Sequence, residues 1–186
     1  MRKIQSVKAL EDFGRVRLSK SFFMRDMLYS EIGNSHDIAN IPSDPELAIA
    51  AASRLCADLL EPLQERFGWI AIRSAYRSQA VNQFGNENKL SGASNEANYA
   101  GHIFDRRDAN GHMGATATSF VSSFIDYYER TGHWQALAWW IHDHLPPTDL
   151  FLPQARSVQH HLAREARADN QELCRAGRYI DQAGDG

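Results

Sequence analysis

The stretch from Ser43 to Gly68 constrains the fold more than any other part of the chain. Leu47, Ala51, Leu55, Leu59 and Leu63 recur every four residues, with Leu60 and Phe67 beside them. That spacing draws one apolar stripe along a helix, and a striped helix is stable only when a second layer covers the stripe. Ser43 and Glu46 fit an S-x-x-E capping box, and Pro45 falls near the first helical position, where its missing N–H costs nothing. Pro62 predicts a kink in the last turn, and Gly68 predicts the stop. Trp69-Ile-Ala-Ile-Arg-Ser74 follows, with Ile70 and Ile72 alternating against Ala71 and Arg73, which predicts a short strand.

The remaining segments fill in around this helix and strand. Residues 1–42 read as an irregular lead-in with short helical pieces, in which Phe22–Ser30 packs one apolar face on the core. Residues 82–101 are rich in Asn, Gly and Ser and read as a polar loop, uncommon at that length inside a domain and usually functional. His102–Asp108 reads as extended. A second helix is predicted over about Ala115–Arg130, with Phe120, Val121, Phe124, Ile125 and Tyr128 on one face, ended by Gly132. Trp134, Leu137, Ala138, Ile141 and Leu145 give a third, stopped by Pro146-Pro147. The order of helices and strands predicts an α+β domain, with helices packed on a small, mostly antiparallel sheet.

Composition narrows the function classes. The chain has 186 residues and a net charge of -3, so no basic field favours nucleic acid. Its two cysteines, Cys56 and Cys174, exclude a disulfide-dense scaffold and a Cys-only zinc site. No apolar run reaches the ~18 residues that span a bilayer, so no membrane partner is expected. The first ten residues lack the apolar core of a signal peptide, so the protein is expected to be cytoplasmic as synthesised.

The chemistry-bearing residues fall into clusters. His102, Asp105, Asp108 and His112 lie within one short segment, and His142 and His144 flank Asp143. Neutral imidazole and carboxylate suit a hydrolytic zinc ion, which needs three protein ligands and an open position for water. The spacing matches no helical zinc motif, and on spacing alone the commoner reading is a surface salt-bridge cluster at Asp105-Arg-Arg-Asp108 with His102 a capping or loop residue. On an aromatic helix His142 and His144 are more often packing or surface groups than ligands, and Trp139-Trp140 more often core or groove wall than a cofactor box. Tyr76-Arg77-Ser78 follows the predicted strand, where an arginine either presents its planar fork to a carboxylate or pairs with nearby acids. Glu96, in the polar loop, is a carboxylate on which no role is placed.

Three blocks carry a family resemblance. Leu18-Ser-Lys-Ser-Phe22 and the residues through Glu31, Leu60-Glu-Pro-Leu63, and Ile72-Arg-Ser-Ala-Tyr-Arg-Ser-Gln-Ala-Val-Asn82 resemble the zinc D-Ala-D-Ala carboxypeptidases of the hedgehog/DD-peptidase fold over about residues 18–150. The resemblance implies a zinc hydrolase that cuts peptidoglycan peptides; a monomer is expected. It implies that Arg77, flanked by Tyr76 and Ser78, binds the substrate carbonyl or carboxylate. The family's S-x-H-x-x-G-x-A-x-D motif finds its nearest match at Gly111–Phe120, where His112 fits the histidine and Ser119 stands in place of the aspartate. A divergent branch reading ANYAxHIWDRRDADGHMGA keeps His102, Asp105, Asp108 and His112 together, which implies that His102 with Asp105 or Asp108 replaces the lost ligand. His142 is one candidate for the third. With no signal peptide, a phage or virion enzyme that reaches the wall at lysis is the expected setting. A non-catalytic wall-binding or phage structural module is the alternative.

Residues 1–150 are thus expected to form the peptidase-like domain. Residues 151–186 hold few large apolar side chains and read as a poorly structured tail. A one-base shift near Phe151 permits the reading FFPKLAAFNITWHE, similar to the divergent branch's continuation. The tail is therefore read as out of frame, with a displaced W-H-E element as the best third-ligand source and an impaired site in this chain.

Overall fold

Short helices lead into the long one. The computed structural model describes residues 4–90, 93–146, 149–151 and 175–180. In it α1 (Val7–Gly14), α2 (Met24–Met27) and α3 (Glu31–Ser35) form the lead-in. Phe22, Met24 and Met27 point into the core, as the apolar face of that segment requires.

The striped segment folds as α4 (Pro45–Leu55), a π-helical turn over Cys56–Leu60, and α5 (Glu61–Phe67). The predicted kink at Pro62 is accommodated by this wide turn. Proline has no N–H to donate one turn back, and just before it the Glu61 N–H reaches the Cys56 carbonyl, five residues back. The cap also differs from the one predicted. Asp44 is the N-cap and its carboxylate accepts from Leu47 N at 3.1 Å, while the Ser43 N–H is drawn away to Asp105 Oδ2 at 2.7 Å. Gly68 ends the helix at φ +80°, a value only glycine adopts without strain.

β1 (Ile70–Ser74) pairs antiparallel with β2 (Gly114–Val121), with Ile70 opposite Val121 and Ile72 opposite Ser119. The helix predicted over Ala115–Arg130 is therefore corrected: its first part is β2 and only its second part is helical, as α8 (Ser122–Thr131). Small Ala115 and Ala117 let β2 lie close beneath α4, and its threonines favour extended backbone. Gly132 ends α8 in the left-handed conformation at φ +70°. α9 (Gln135–His144) matches the third predicted helix. Two further strands, β3 (Asp149–Phe151) and β4 (Arg175–Ile180), complete an antiparallel sheet of order β1-β2-β4-β3. The tail expected to lack structure thus lends the sheet a strand at Arg175–Ile180. Residues 152–174 and 181–186, where the rest of the out-of-frame reading falls, lie outside the described residues.

The polar-loop reading of residues 82–101 is also corrected. α6 (Gln79–Glu87) and α7 (Asn95–Asn98) occupy much of it. Each begins on a serine cap, Ser78 Oγ accepting from Val81 N and Ser94 Oγ from Ala97 N. Buried Asn82 then joins the two, donating to Asn95 Oδ1 and accepting from Asn98 Nδ2, both at 2.9 Å. Residues 102–106 turn and bend about an isolated bridge from Ile103 to Tyr99 instead of forming the expected extended run.

One core unites the layers. Ala48, Ala51, Leu55, Leu59 and Leu63 from α4 to α5 meet Phe13, Met24 and Met27 on one side, and Ile70, Ala115, Ala117, Val121, Leu137 and Ile141 on the other. The fold is α+β. Among the described residues no helix is long and apolar enough to cross a membrane.

Candidate functional site

The motif blocks meet in space at two junctions. At the first, Glu61 turns its nearly buried carboxylate onto the turn after Leu18. It accepts from Ser19 Oγ at 2.7 Å, from Ser21 Oγ at 3.0 Å and from the Ser21 N–H. Burial pushes the Glu61 carboxyl up, but these hydrogen bonds and the Lys20 charge outweigh it and hold the group below the usual carboxylate range. The block around Leu18 and the Leu60–Leu63 block are thus one structural unit.

At the second junction the chain leaving β1 meets the turns after α7. His102 Nδ1 lies 2.7 Å from the Ala75 carbonyl, and the Arg77 N–H donates to the His102 carbonyl at 2.8 Å. A carbonyl only accepts, so Nδ1 carries a proton in this contact. Asn40 braces the same turn, donating to the Leu28 and Tyr76 carbonyls and accepting from Ser78 N. The Tyr76 N–H donates to the Met27 carbonyl at 2.9 Å. Arg77 therefore leaves a turn held through the Ala75 and Tyr76 carbonyls and the Tyr76, Arg77 and Ser78 N–H groups.

Two residues assigned to substrate by the resemblance face inward. Tyr76 has no exposed surface, and its ring meets Phe104 edge to face at 5.1 Å. Ser78 is also buried, and its hydroxyl donates to the Ala39 carbonyl while capping α6. Both shape the turn that presents Arg77.

The candidate metal donors are distributed unevenly. His102 is buried beside Ala75. Asp105, 2% exposed, gives Oδ2 to Ser43 N, while Oδ1 has no hydrogen-bond partner. Asp108 and His112 close a tight loop: Asp108 Oδ1 accepts from the Asn110 and His112 N–H groups at 2.9 Å, and Oδ2 lies 3.4 Å from His112 Nδ1. The His112 N–H, ahead of the opposing desolvation, with the Asn110 N–H and the His112 ring adding to it, keeps the Asp108 carboxyl below its ordinary value. His142 stands on α9 with 74% of its side chain exposed, bonded to Asp143 Oδ1 at 2.9 Å. His144 stacks on Trp140 at 4.8 Å, and Trp140 in turn meets Phe67 at 4.9 Å, so this tryptophan is a wall of the core while Trp139 is exposed. Glu96 is exposed in the first turn of α7.

The donor chemistry suits zinc, and a metal-binding imidazole commonly anchors its other nitrogen on a carbonyl as His102 does. Among the described residues, however, no three His, Cys, Asp or Glu side chains are grouped to hold a metal ion. The ligand set is incomplete there. Ser119, at the position that the resemblance aligns with an aspartate, is 1% exposed in β2 and its hydroxyl is unpartnered.

Asn40, Glu61 and Asn82 are the structural polar groups that sequence reasoning passed over. Glu61 and Asn82 stand inside the quoted motif blocks, which is the one signal that marks them. Comparison with family models, curated proteins and solved structures returns no match.

Proposed function

We propose that this chain follows the plan of the zinc DD-peptidases and acts on peptidoglycan peptides. One observation carries the reading: the Ala75–Arg77 turn and His102, which the resemblance assigns to a single site, are bonded to each other at 2.7 and 2.8 Å across a long stretch of chain. Arg77 holds the substrate carbonyl or terminal carboxylate through charge-assisted hydrogen bonds. His102, through Nε2, with Asp108 or His112, donates to the metal. Zinc, when bound, polarises a carbonyl and lowers the pKa of a bound water. Among the described residues, the donors supply only part of that ligand set. With its substrate in the wall, the protein acts after lysis or as a virion component.

A second reading, a non-catalytic wall-binding or phage structural module, is favoured by Ser119, a neutral group sealed in the sheet where a ligand is expected. One experiment separates the two. Purified protein is incubated with peptidoglycan sacculi, with added zinc or with chelator, and soluble peptides are read by mass spectrometry. Zinc-dependent release supports the peptidase. Co-sedimentation with sacculi and no release under either condition supports the module.

A further inference from the structure

We infer that Asp105 and Tyr76 form a positioning pair, a buried carboxylate–phenol contact that locks His102 and the Arg77 turn into one geometry, with Asp105 an internal clamp and not a metal donor. Two orphan atoms suggest it. Asp105 Oδ1 and Tyr76 Oη are both buried without a hydrogen-bond partner. A buried acceptor and a buried donor each carry a desolvation penalty when unpaired. Asp105 directly follows Phe104, whose ring packs on the Tyr76 ring at 5.1 Å, so the two orphan groups belong to one buried cluster; burial first, and the Asp105 charge second, hold the Tyr76 hydroxyl above the ordinary tyrosine range. A hydroxyl that donates to Oδ1 removes both penalties at once.

The pair also sits where positioning matters. Tyr76 lies between Ala75 and Arg77, the two residues bonded to His102. Asp105 lies three residues after His102. Phe104 packs edge-on against the Tyr76 ring, and the Ser43 N–H at the head of α4 fixes the other carboxylate oxygen. The two segments are therefore tied at the imidazole, at the main chain and at the phenol. With Oδ2 on a main-chain N–H and Oδ1 committed to the phenol, both oxygens of this buried carboxylate serve the scaffold in the proposed pair.

This inference deepens the proposed function and rests on His102 belonging to the site, yet its first test needs neither metal nor substrate. Long-range proton–nitrogen NMR of metal-free, histidine-labelled protein reads the His102 tautomer, with His102→Gln identifying the signal. The wild type shows a single Nδ1–H tautomer. Tyr76→Phe, which keeps the ring and its packing on Phe104, and Asp105→Ala each lose that single-tautomer pattern. Asp105→Asn restores it, because an amide still accepts from Ser43 N and donates to the phenol oxygen. Zinc affinity follows the same order, falling about tenfold in Tyr76→Phe and Asp105→Ala, as for a group one step removed from a metal, and recovering in Asp105→Asn. A Tyr76→Phe protein with an unchanged tautomer overturns the inference. So does zinc affinity lost in Asp105→Asn but kept in Tyr76→Phe, which makes the carboxylate a ligand. If the wild type binds no zinc, the proposed function falls and the tautomer arm still decides the clamp.

Discussion

Glu61 is the polar side chain on which the site's scaffold most depends, and its removal gives a sharp prediction. Glu61→Ala deletes a carboxylate that receives Ser19 Oγ, Ser21 Oγ and Ser21 N. A hydrogen bond to a charged group contributes about 1.5–3 kcal/mol net. The two serine hydroxyls are on an edge that water reaches, so they re-solvate when the partner goes, and the main-chain N–H and the lost stem packing dominate. The expected loss is about 2–4 kcal/mol. At about 2–4 °C per kcal/mol for a chain of this size, the midpoint falls by about 4–16 °C. Urea unfolding followed by circular dichroism at neutral pH measures the free-energy loss, with the slope unchanged if only stability has moved, and thermal unfolding measures the midpoint. Glu61→Gln, which keeps the stem and one acceptor oxygen, should lose about half as much. A Glu61→Ala protein within about 0.5 kcal/mol of wild type, the range of an ordinary surface change, would refute the idea that this carboxylate joins the first two motif blocks.

Three further outcomes follow from the same geometry. The Glu61 carboxyl lies below its unfolded value of 4.5 in the folded state, so its stabilisation is fully present above that pH and is lost as the pH falls through the folded pKa. The stability gap between wild type and Glu61→Gln should therefore hold steady above pH 4.5 and close below it in acid titrations; a gap that widens in acid contradicts the assignment. Asn82→Leu removes the shorter of the two bonds made by Asn98 Nδ2, leaving it the 3.4 Å contact to the Ala93 carbonyl, and takes the donor from Asn95 Oδ1; it should cost about 1–3 kcal/mol, with hydrogen exchange accelerated first over residues 93–98. Gly33→Ala brings a Cβ to 2.9 Å from the Ile38 carbonyl, a backbone clash expected to cost about 1–3 kcal/mol, checked by thermal unfolding.

The long helix was legible because its side chains are apolar and its period is regular. Periodicity carries no information about hydrogen-bond register, so the π turn before Pro62 was not legible. The strand Gly114–Val121 was misread for a related reason. Phe120, Val121, Phe124, Ile125 and Tyr128 keep helical spacing across a strand–helix junction, and Ala, Thr and Ser upstream fit either state. The helices within residues 79–98 are held by serine caps and a buried asparagine pair, interactions that a search for apolar faces passes over. In the site, the sequence named residue types block by block. It could not show that Ala75 touches His102, 27 residues away, or that Tyr76 and Ser78 point inward, because burial depends on neighbours that only the folded chain assembles.

The central claim is that His102 and the Arg77 turn belong to one metal-dependent site, and zinc uptake tests it most directly. Metal-free protein and its His102→Ala variant are dialysed against zinc and analysed for bound metal per chain. The account predicts saturable uptake approaching one zinc per wild-type chain and a clear loss in His102→Ala. No uptake by the wild type, or the same uptake by both proteins, would contradict it.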